Sequence, residues 1–307
     1  MRIPTAQHPK KGLGFPILRI LVLICLGSGA LLDFAVAPYE GKETGEQALL
    51  RRLMFQLRVG DILLGDANFE NYFLLALVLQ AKADVVFEKN GSRIIDFRKC
   101  YQKLASKDGL FKLKRPARPE WMSQELYDQM PEDLVIRAVR NKSRTIVTTL
   151  LDAEEYPRTE IIALYLKRWH VETDFDVIKT TMKMDMLRCK SPEMVRKEIS
   201  VNLLVYNVVR ALMGKTAEHI GKTPREISFK AAQETLVSFH QTLLGASGDW
   251  LEEKVANMLE IIGQHVVGNR PGRSEPRAVK RRPKPHKRLQ HPRAQARRLK
   301  QCQGKAA

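Results

Sequence analysis

The sequence predicts an α/β fold in which a layered sheet carries helices on its faces. Residues 15–83 alternate short apolar runs with segments of helical periodicity, which is a β–α–β–α rhythm. Residues 84–150 hold several short strand-like runs separated by turn signals. From residue 157 onward the apolar residues recur mainly at helical spacing. We therefore expect four parts: the start of a core at 1–83, a β-rich insertion at 84–150, a helical remainder at 151–268 and a tail at 269–307.

The first part is predicted to begin with an extended lead-in over residues 1–12 and a β-hairpin. Its strands span about 15–26 and 30–37 and turn at Gly27-Ser28-Gly29. A membrane span is the alternative interpretation of this apolar segment. However, the uncharged stretch at 20–32 has only 13 residues, whereas a bilayer needs about 20. A buried hairpin is favoured, and no membrane partner is expected.

A candidate catalytic acid follows the next predicted strand. Helical periodicity covers 43–57, a short apolar strand covers 62–64, and a further helix is predicted over 69–82. The strand runs directly into Gly65 and Asp66. Active sites of open α/β sheets gather at the carboxyl ends of strands, although an Asp there can equally form a turn or cap the next helix.

The remaining elements follow from the same signals. In the β-rich region, strands are predicted at 84–89, 93–97, 110–113, 134–139 and 145–150. Helices are predicted at 157–184, 191–214 and 250–262, with another ending near 244. The helix that ends near 244 is expected to start at a capping box formed by Thr223 and Glu226.

Charge is concentrated at the end of the chain. The formal net charge is +18, and from Arg270 onward there are 14 lysines and arginines against the single acid Glu275. Such a tail should be disordered alone and favours nucleic acid over a membrane surface, because it lacks an apolar helical face. The four cysteines form no CxxC pair, which indicates a reducing compartment and excludes a zinc knuckle.

One stretch carries the clearest chemical pattern. At about 100° per residue, Tyr165, Arg168, Glu172 and Lys179 fall on one side of a helix. Taken alone, Glu172 would be a solvated helical acid paired with Arg168 or Lys179. Taken with Asp66, it supplies hard oxygen ligands that suit Mg²⁺ or Mn²⁺ in phosphoryl transfer.

The spacing Tyr165-x2-Arg168-x3-Glu172-x6-Lys179 resembles the Tyr–Arg–Glu–Lys signature of bacterial insertion-sequence transposases of the DDE type, the insertion-sequence-four family. Further blocks agree in order, and the resemblance covers roughly residues 12–235. These blocks are residues 12–16 (GLGFP), 61–69 (DILLGDANF), 148–152 (TTLLD) and 206–210 (YNVVR).

The resemblance implies a ribonuclease-H-like catalytic core interrupted by a β-rich insertion. It implies that Asp66 and Glu172 are catalytic metal ligands for Mg²⁺ or Mn²⁺. Tyr165, Arg168 and Lys179 would contact DNA phosphates near the cut end. Trp169 could stack on a displaced base, but a core position is favoured.

The same resemblance implies a first catalytic acid ahead of residue 12, yet residues 1–11 contain no Asp or Glu. The family's N-terminal DNA-binding helices are not recognised either. We therefore expect the C-terminal portion of a transposase, truncated at the first strand of the core. Whether it is an enzyme stays open between a DNA transposase and an inactive remnant that only binds DNA; a basic RNA-binding protein is a third possibility. The expected partners are double-stranded DNA and a second copy in a synaptic complex, and the expected location is the bacterial cytoplasm at the nucleoid.

Overall fold

The structure is a computed structural model that describes residues 17–142, 144–268 and 295. Its elements confirm the α/β class. The strands are β1 (Leu18–Ile24), β2 (Leu31–Pro38), β3 (Ile62–Gly65), β4 (Asp84–Glu88), β5 (Gln102–Ala105), β6 (Asp108–Lys114), β7 (Asp133–Asn141) and β8 (Arg144–Thr148). The helices are α1 (Glu46–Leu53), α2 (Tyr72–Gln80), α3 (Gln124–Asp128), α4 (Arg158–Leu166), α5 (Trp169–Asp176), α6 (Pro192–His219), α7 (Phe229–Leu244) and α8 (Gly248–Gly263).

Strands β1 and β2 form the predicted hairpin, a two-stranded antiparallel sheet. Because successive side chains of a strand point to opposite faces, β1 packs on both sides. Leu21 and Leu23 pack with the leucines of α1, whereas Ile20 and Val22 pack with the core around α6. The apolar run is thus a strand buried between two helices. Among the described residues, no helix is long and apolar enough to cross a membrane.

The other six strands form one mixed sheet in the order β3-β4-β8-β7-β6-β5. Strands β3 and β4 are parallel, and every other neighbouring pair is antiparallel. The predicted β-rich region therefore continues the sheet that begins with β3. The division of the chain into domains at 83, 150 and 268 stays a prediction.

Two details of the β-rich region differ from the prediction. Residues 93–97 are irregular, because local side chains bind this loop: Lys89 donates to the carbonyls of Asn90 and Arg93, and Asp96 accepts from Arg98. Strand β5 was not predicted, since it is a mostly exposed edge strand without apolar alternation. Helix α3 was missed as well, being only five residues long.

The predicted helix over 157–184 is wrong as a single element. Helix α4 ends at Leu166, where the Lys167 and Arg168 amides donate to carbonyls three residues back, as in a tightened last turn. Helix α5 then begins at Trp169, and a π-helical turn spans Val177–Thr181. The chain therefore bends inside the signature segment.

The predicted cap at Thr223 exists but starts a different element. The Thr223 amide donates to the Glu226 carboxylate at 2.8 Å, which caps a short 3-10 turn at Pro224–Glu226. Helix α7 begins three residues later, at Phe229, with the Ser228 hydroxyl accepting from the Ala231 amide. The lead-in over 1–12 and, apart from residue 295, the basic tail over 269–307 lie outside the described residues.

Candidate active site

Two carboxylates stand at neighbouring strand ends. In the parallel pair of β3 and β4, Gly65 lies opposite Phe87. One residue before, Leu64 and Val86 both pack in the core under α4. One residue beyond Phe87 is Glu88, which therefore points to the same α4 side as Val86. Asp66 follows Gly65 directly, so Asp66 and Glu88 leave the sheet side by side.

Asp66 is exposed and held in a turn. One oxygen of its carboxylate accepts a hydrogen bond from the Asn68 amide at 2.9 Å, and the backbone carbonyl of Asp66 accepts one from the Phe69 amide at 3.2 Å. Gly65 allows the end of β3 to lie close to the Phe87 ring, because a Cβ at this position would come within 2.9 Å of that ring. This is the turn-forming role that any Asp at a strand end can have, and it leaves the carboxylate facing solvent. Its predicted role as a metal ligand stays a prediction.

Tyr165 joins the helical segment to Glu88. Its side chain is buried in the apolar cluster that includes Val86 and Ile146, and its hydroxyl donates to the Glu88 carboxylate at 2.9 Å. Burial and then the bond to Glu88 raise the pKa of Tyr165 to about 12. The phenol is therefore a neutral donor at physiological pH.

Arg168 and Glu172 form the next link. Arg168 Nη2 donates to Glu172 Oε1 at 3.0 Å across one turn of helix. The Arg168 side chain is 22% exposed and that of Glu172 is 44% exposed. The Arg168 guanidinium also lies 5.8 Å from the centroid of the Tyr165 ring. Glu88, Tyr165, Arg168 and Glu172 therefore form a continuous polar chain that ends at an exposed carboxylate.

Lys179 and Trp169 lie on the outside of this segment. Lys179 is exposed on the π-helical turn, with its ammonium 5.3 Å from the centroid of the Phe175 ring. Trp169, in the first turn of α5, is 50% exposed. The favoured interpretation of Trp169 as a core residue is therefore wrong, and its stacking on a base stays a prediction, as do the DNA contacts of Tyr165, Arg168 and Lys179.

Helix α5 is fixed from its opposite side by a second acid, Asp174, which is 1% exposed. Its carboxylate accepts hydrogen bonds from Arg210 of α6 and, at 3.0 Å, from Arg225 of the 3-10 turn. The same Arg225 lies close enough to lower the pKa of His170, after the larger effect of burial.

The arginine pair also reaches the β1–β2 turn. Arg210 donates to the Tyr206 hydroxyl at 2.9 Å, and Tyr206 donates to the Gly29 carbonyl at 2.8 Å. Gly29 has φ +74°, and a Cβ on it would lie 2.8 Å from the Arg210 guanidinium. Asp174 thus ties the helix that carries Glu172 to α6 and to the hairpin.

Glu88 and Asp174 are the residues that sequence reasoning missed. Glu88 could have been found, because it lies near the end of the strand predicted at 84–89, the next predicted strand along the chain after the one that precedes Asp66. Asp174 lies inside the signature segment, but only its burial and its ion pairs with Arg210 and Arg225 distinguish it from an ordinary helical acid.

Asp66 and Glu172 supply the type of ligand atom that a divalent ion prefers, but two carboxylates do not complete its set of ligands. Oxygen ligands of Asp and Glu suit Mg²⁺ or Mn²⁺. Within 17–142 and 144–268, however, no group of three or more His, Cys, Asp or Glu is arranged to hold a metal ion. Asp66 and Glu172 are thus at most part of a ligand set.

Comparison with known proteins places the chain. The sequence model of a family described as the transposase DDE domain matches residues 1–208. The chain is also 29% identical over 289 residues to the transposase InsG for insertion sequence element IS4 from Escherichia coli (strain K12). That alignment covers 91% of this chain and 63% of the length of InsG.

Proposed function

The chain belongs to the transposase DDE domain family, and on that premise we propose that it acts in DNA transposition, by metal-dependent cleavage of a DNA strand and transfer of the freed end. The observation that carries the proposal is Glu172. It is an exposed carboxylate, paired with an arginine on a helix fixed from its other side. The ribonuclease-H-like core, with residues 84–150 as its β-rich insertion, belongs to the same proposal.

Asp66 and Glu172 would contribute carboxylate ligands to Mg²⁺ or Mn²⁺. Such an ion, when bound, lowers the pKa of a bound water and stabilises charge on the attacking and leaving oxygens. The chain's own contribution is placement. The Asn68 amide holds the Asp66 carboxylate in its turn, and Arg168 pairs with the Glu172 carboxylate until a ligand takes its place.

Arg168, Lys179 and Tyr165 would position the DNA. The guanidinium fork of Arg168 suits two phosphate oxygens and would exchange part of its bond to Glu172 for them. Lys179 offers an exposed point charge further along the segment. Tyr165 donates to Glu88 in the absence of DNA, so it would reach a phosphate only if that bond is exchanged; otherwise its role is to fix Arg168.

A second function is favoured by a specific observation. Within residues 17–142 and 144–268, no three His, Cys, Asp or Glu side chains are grouped so that they could hold a metal ion. A protein that binds DNA and does not cleave it is therefore the alternative. In either case double-stranded DNA is the proposed partner, with a second copy of the chain in a synaptic complex and the nucleoid as the location.

Incubation of the full chain with Mn²⁺ or Mg²⁺ and duplex DNA carrying the element's terminal repeats tests the proposal. Strand nicking by the parent, lost in Glu172→Gln and retained in Asp176→Asn, is expected. Asp176 is a matched control because it is an exposed acid on the same helix. Salt-sensitive binding without nicking in any variant would establish the alternative, and no preference for the terminal repeats would overturn both.

A further inference from the structure

A basic cavity lies next to the candidate active site. Its volume is about 330 Å³. Its lining side chains come from the end of β4 and from the hairpin between β7 and β8, and they are Glu88, Lys89, Arg140, Lys142, Arg144 and Thr145. Four cations therefore surround a single carboxylate.

The carboxylate does not neutralise this charge. Glu88 Oε2 accepts from Tyr165 at 2.9 Å and from Arg144 at 3.3 Å, so one oxygen serves both partners, and a single carboxylate faces four cations. Lys89 and Arg140 form the wall: Lys89 donates to two loop carbonyls, and Arg140 donates to Thr145 while lying over the Phe97 ring. The acceptors in these hydrogen bonds are carbonyl and hydroxyl oxygens and not carboxylates.

The two remaining cations face outward. The Arg144 side chain is 55% exposed, and Lys142 is exposed at the hairpin tip with φ +49°. The left-handed backbone at Lys142 is typical of a tight hairpin turn, and it carries the lysine to the mouth of the cavity. A concave site lined by charges of one sign concentrates ions of the other sign. The chemistry of this cavity therefore suits a phosphate.

Glu88 connects the cavity to the signature segment. Its Oε2 atom contacts both Arg144, which lines the cavity, and Tyr165, whose ring lies 5.8 Å from the Arg168 guanidinium. Contacts through Glu88 and Tyr165 therefore link the cavity lining to the Arg168–Glu172 pair.

We propose that the cavity between β4 and the β7–β8 hairpin binds a backbone phosphate of the DNA, with Lys142 and Arg144 as its contacts. This inference rests on the proposed function for the identity of the polymer. It differs from it in assigning a second phosphate site, off the signature segment. Lys142 and Arg144 are DNA-positioning residues in this assignment and are not catalytic.

The test is metal-free binding of the full chain to a fluorescent duplex, followed by anisotropy over a series of NaCl concentrations. The variant is Lys142→Gln/Arg144→Gln. The matched control is Lys103→Gln/Lys114→Gln, which removes two exposed lysines at the far side of the same sheet. We expect the magnitude of the slope of log K against log salt to fall by about 0.9 in the first pair, because one phosphate contact is lost, and by less than about 0.5 in the control.

Equal loss in both pairs would overturn the site, because only overall charge would then matter. Displacement of the DNA by millimolar inorganic phosphate from the parent, but not from the Lys142/Arg144 variant, would support the proposal, because free phosphate would then compete with the DNA backbone for these two residues. Thermal unfolding within about 2 °C of the parent verifies that each variant is folded, since surface substitutions change stability little. Because no metal is present, the outcome is independent of nicking, so failure of the cleavage proposal and failure of this site are distinguishable.

Discussion

Two acids of helix α5, two residues apart, have opposite environments. Glu172 has a side chain that is 44% exposed and a partner, Arg168, that lies one turn away on the same helical segment. Asp174 is 1% exposed, and its partners Arg210 and Arg225 come from distant parts of the chain. Glu172 is therefore free to exchange its partner for a ligand, whereas Asp174 stabilises the fold through its two arginines.

The difference shows how a short helix can expose one carboxylate to a ligand while a different carboxylate fixes the helix in the fold. An exposed ion pair contributes little to stability, so Glu172 can change partners at little cost. A buried carboxylate shared by two arginines is costly to disturb, because the arginines would remain charged without a counterion. Asp174 therefore supports Glu172 by fixing the helix and makes no contact with the substrate itself.

The largest expected effect on stability comes from removing the buried acid, Asp174. Asp174→Ala should lower the free energy of unfolding by about 3–5 kcal/mol, since it leaves two arginines without their shared counterion. Urea unfolding followed by circular dichroism measures this. A loss under about 1 kcal/mol would mean that Asp174 does not hold the helix.

The hairpin end of the same network should be nearly as sensitive. Gly29→Ala forces an L side chain into φ +74° and against the Arg210 guanidinium, which we expect to cost about 1–3 kcal/mol. Gly27→Ala is the matched control, because nothing lies within 4 Å of a Cβ at that turn position. Equal losses in the two variants would show that Arg210 is not confined by the turn.

Alkaline pH tests the segment that carries Glu172 through the buried residue Tyr165. The folded-state pKa of Tyr165 is raised from 10.0 to about 12. Above pH 10 the unfolded chain loses this proton first, so the contribution of Tyr165 to stability is complete below pH 10 and is lost as pH rises towards 12. Tyr165→Phe should therefore show a shallower decline of unfolding free energy between pH 10 and 12. A decline as steep as that of the parent would contradict the raised pKa of Tyr165, which burial and then the bond to Glu88 produce.

The smallest effect is expected for Glu172 itself. Glu172→Gln should change the free energy of unfolding by less than about 0.5 kcal/mol, as for other exposed ion pairs. The same urea titration measures it beside Asp174→Ala. A loss of several kcal/mol in Glu172→Gln would remove the distinction between the two acids.

The sequence predicted what local pattern determines and missed what distant packing determines. The buried hairpin and the Arg168–Glu172 spacing follow from residue alternation and helical periodicity, and both are confirmed. The bend at Lys167 was missed because periodicity continues across it. The role of Asp174 depends on Arg210 and Arg225, which lie 36 and 51 residues away, and no local signal indicates their arrangement.

The most direct test of the central claim is the effect of Mn²⁺ on urea unfolding of the parent, Glu172→Gln and Asp176→Asn. A ligand that binds only the folded state raises stability by about 2.7 kcal/mol at 100 times its dissociation constant. If Glu172 is the acid available for a metal ion, Mn²⁺ should raise the unfolding midpoint of the parent and of Asp176→Asn, but not that of Glu172→Gln. An equal rise in all three proteins, or none in the parent, would contradict the account.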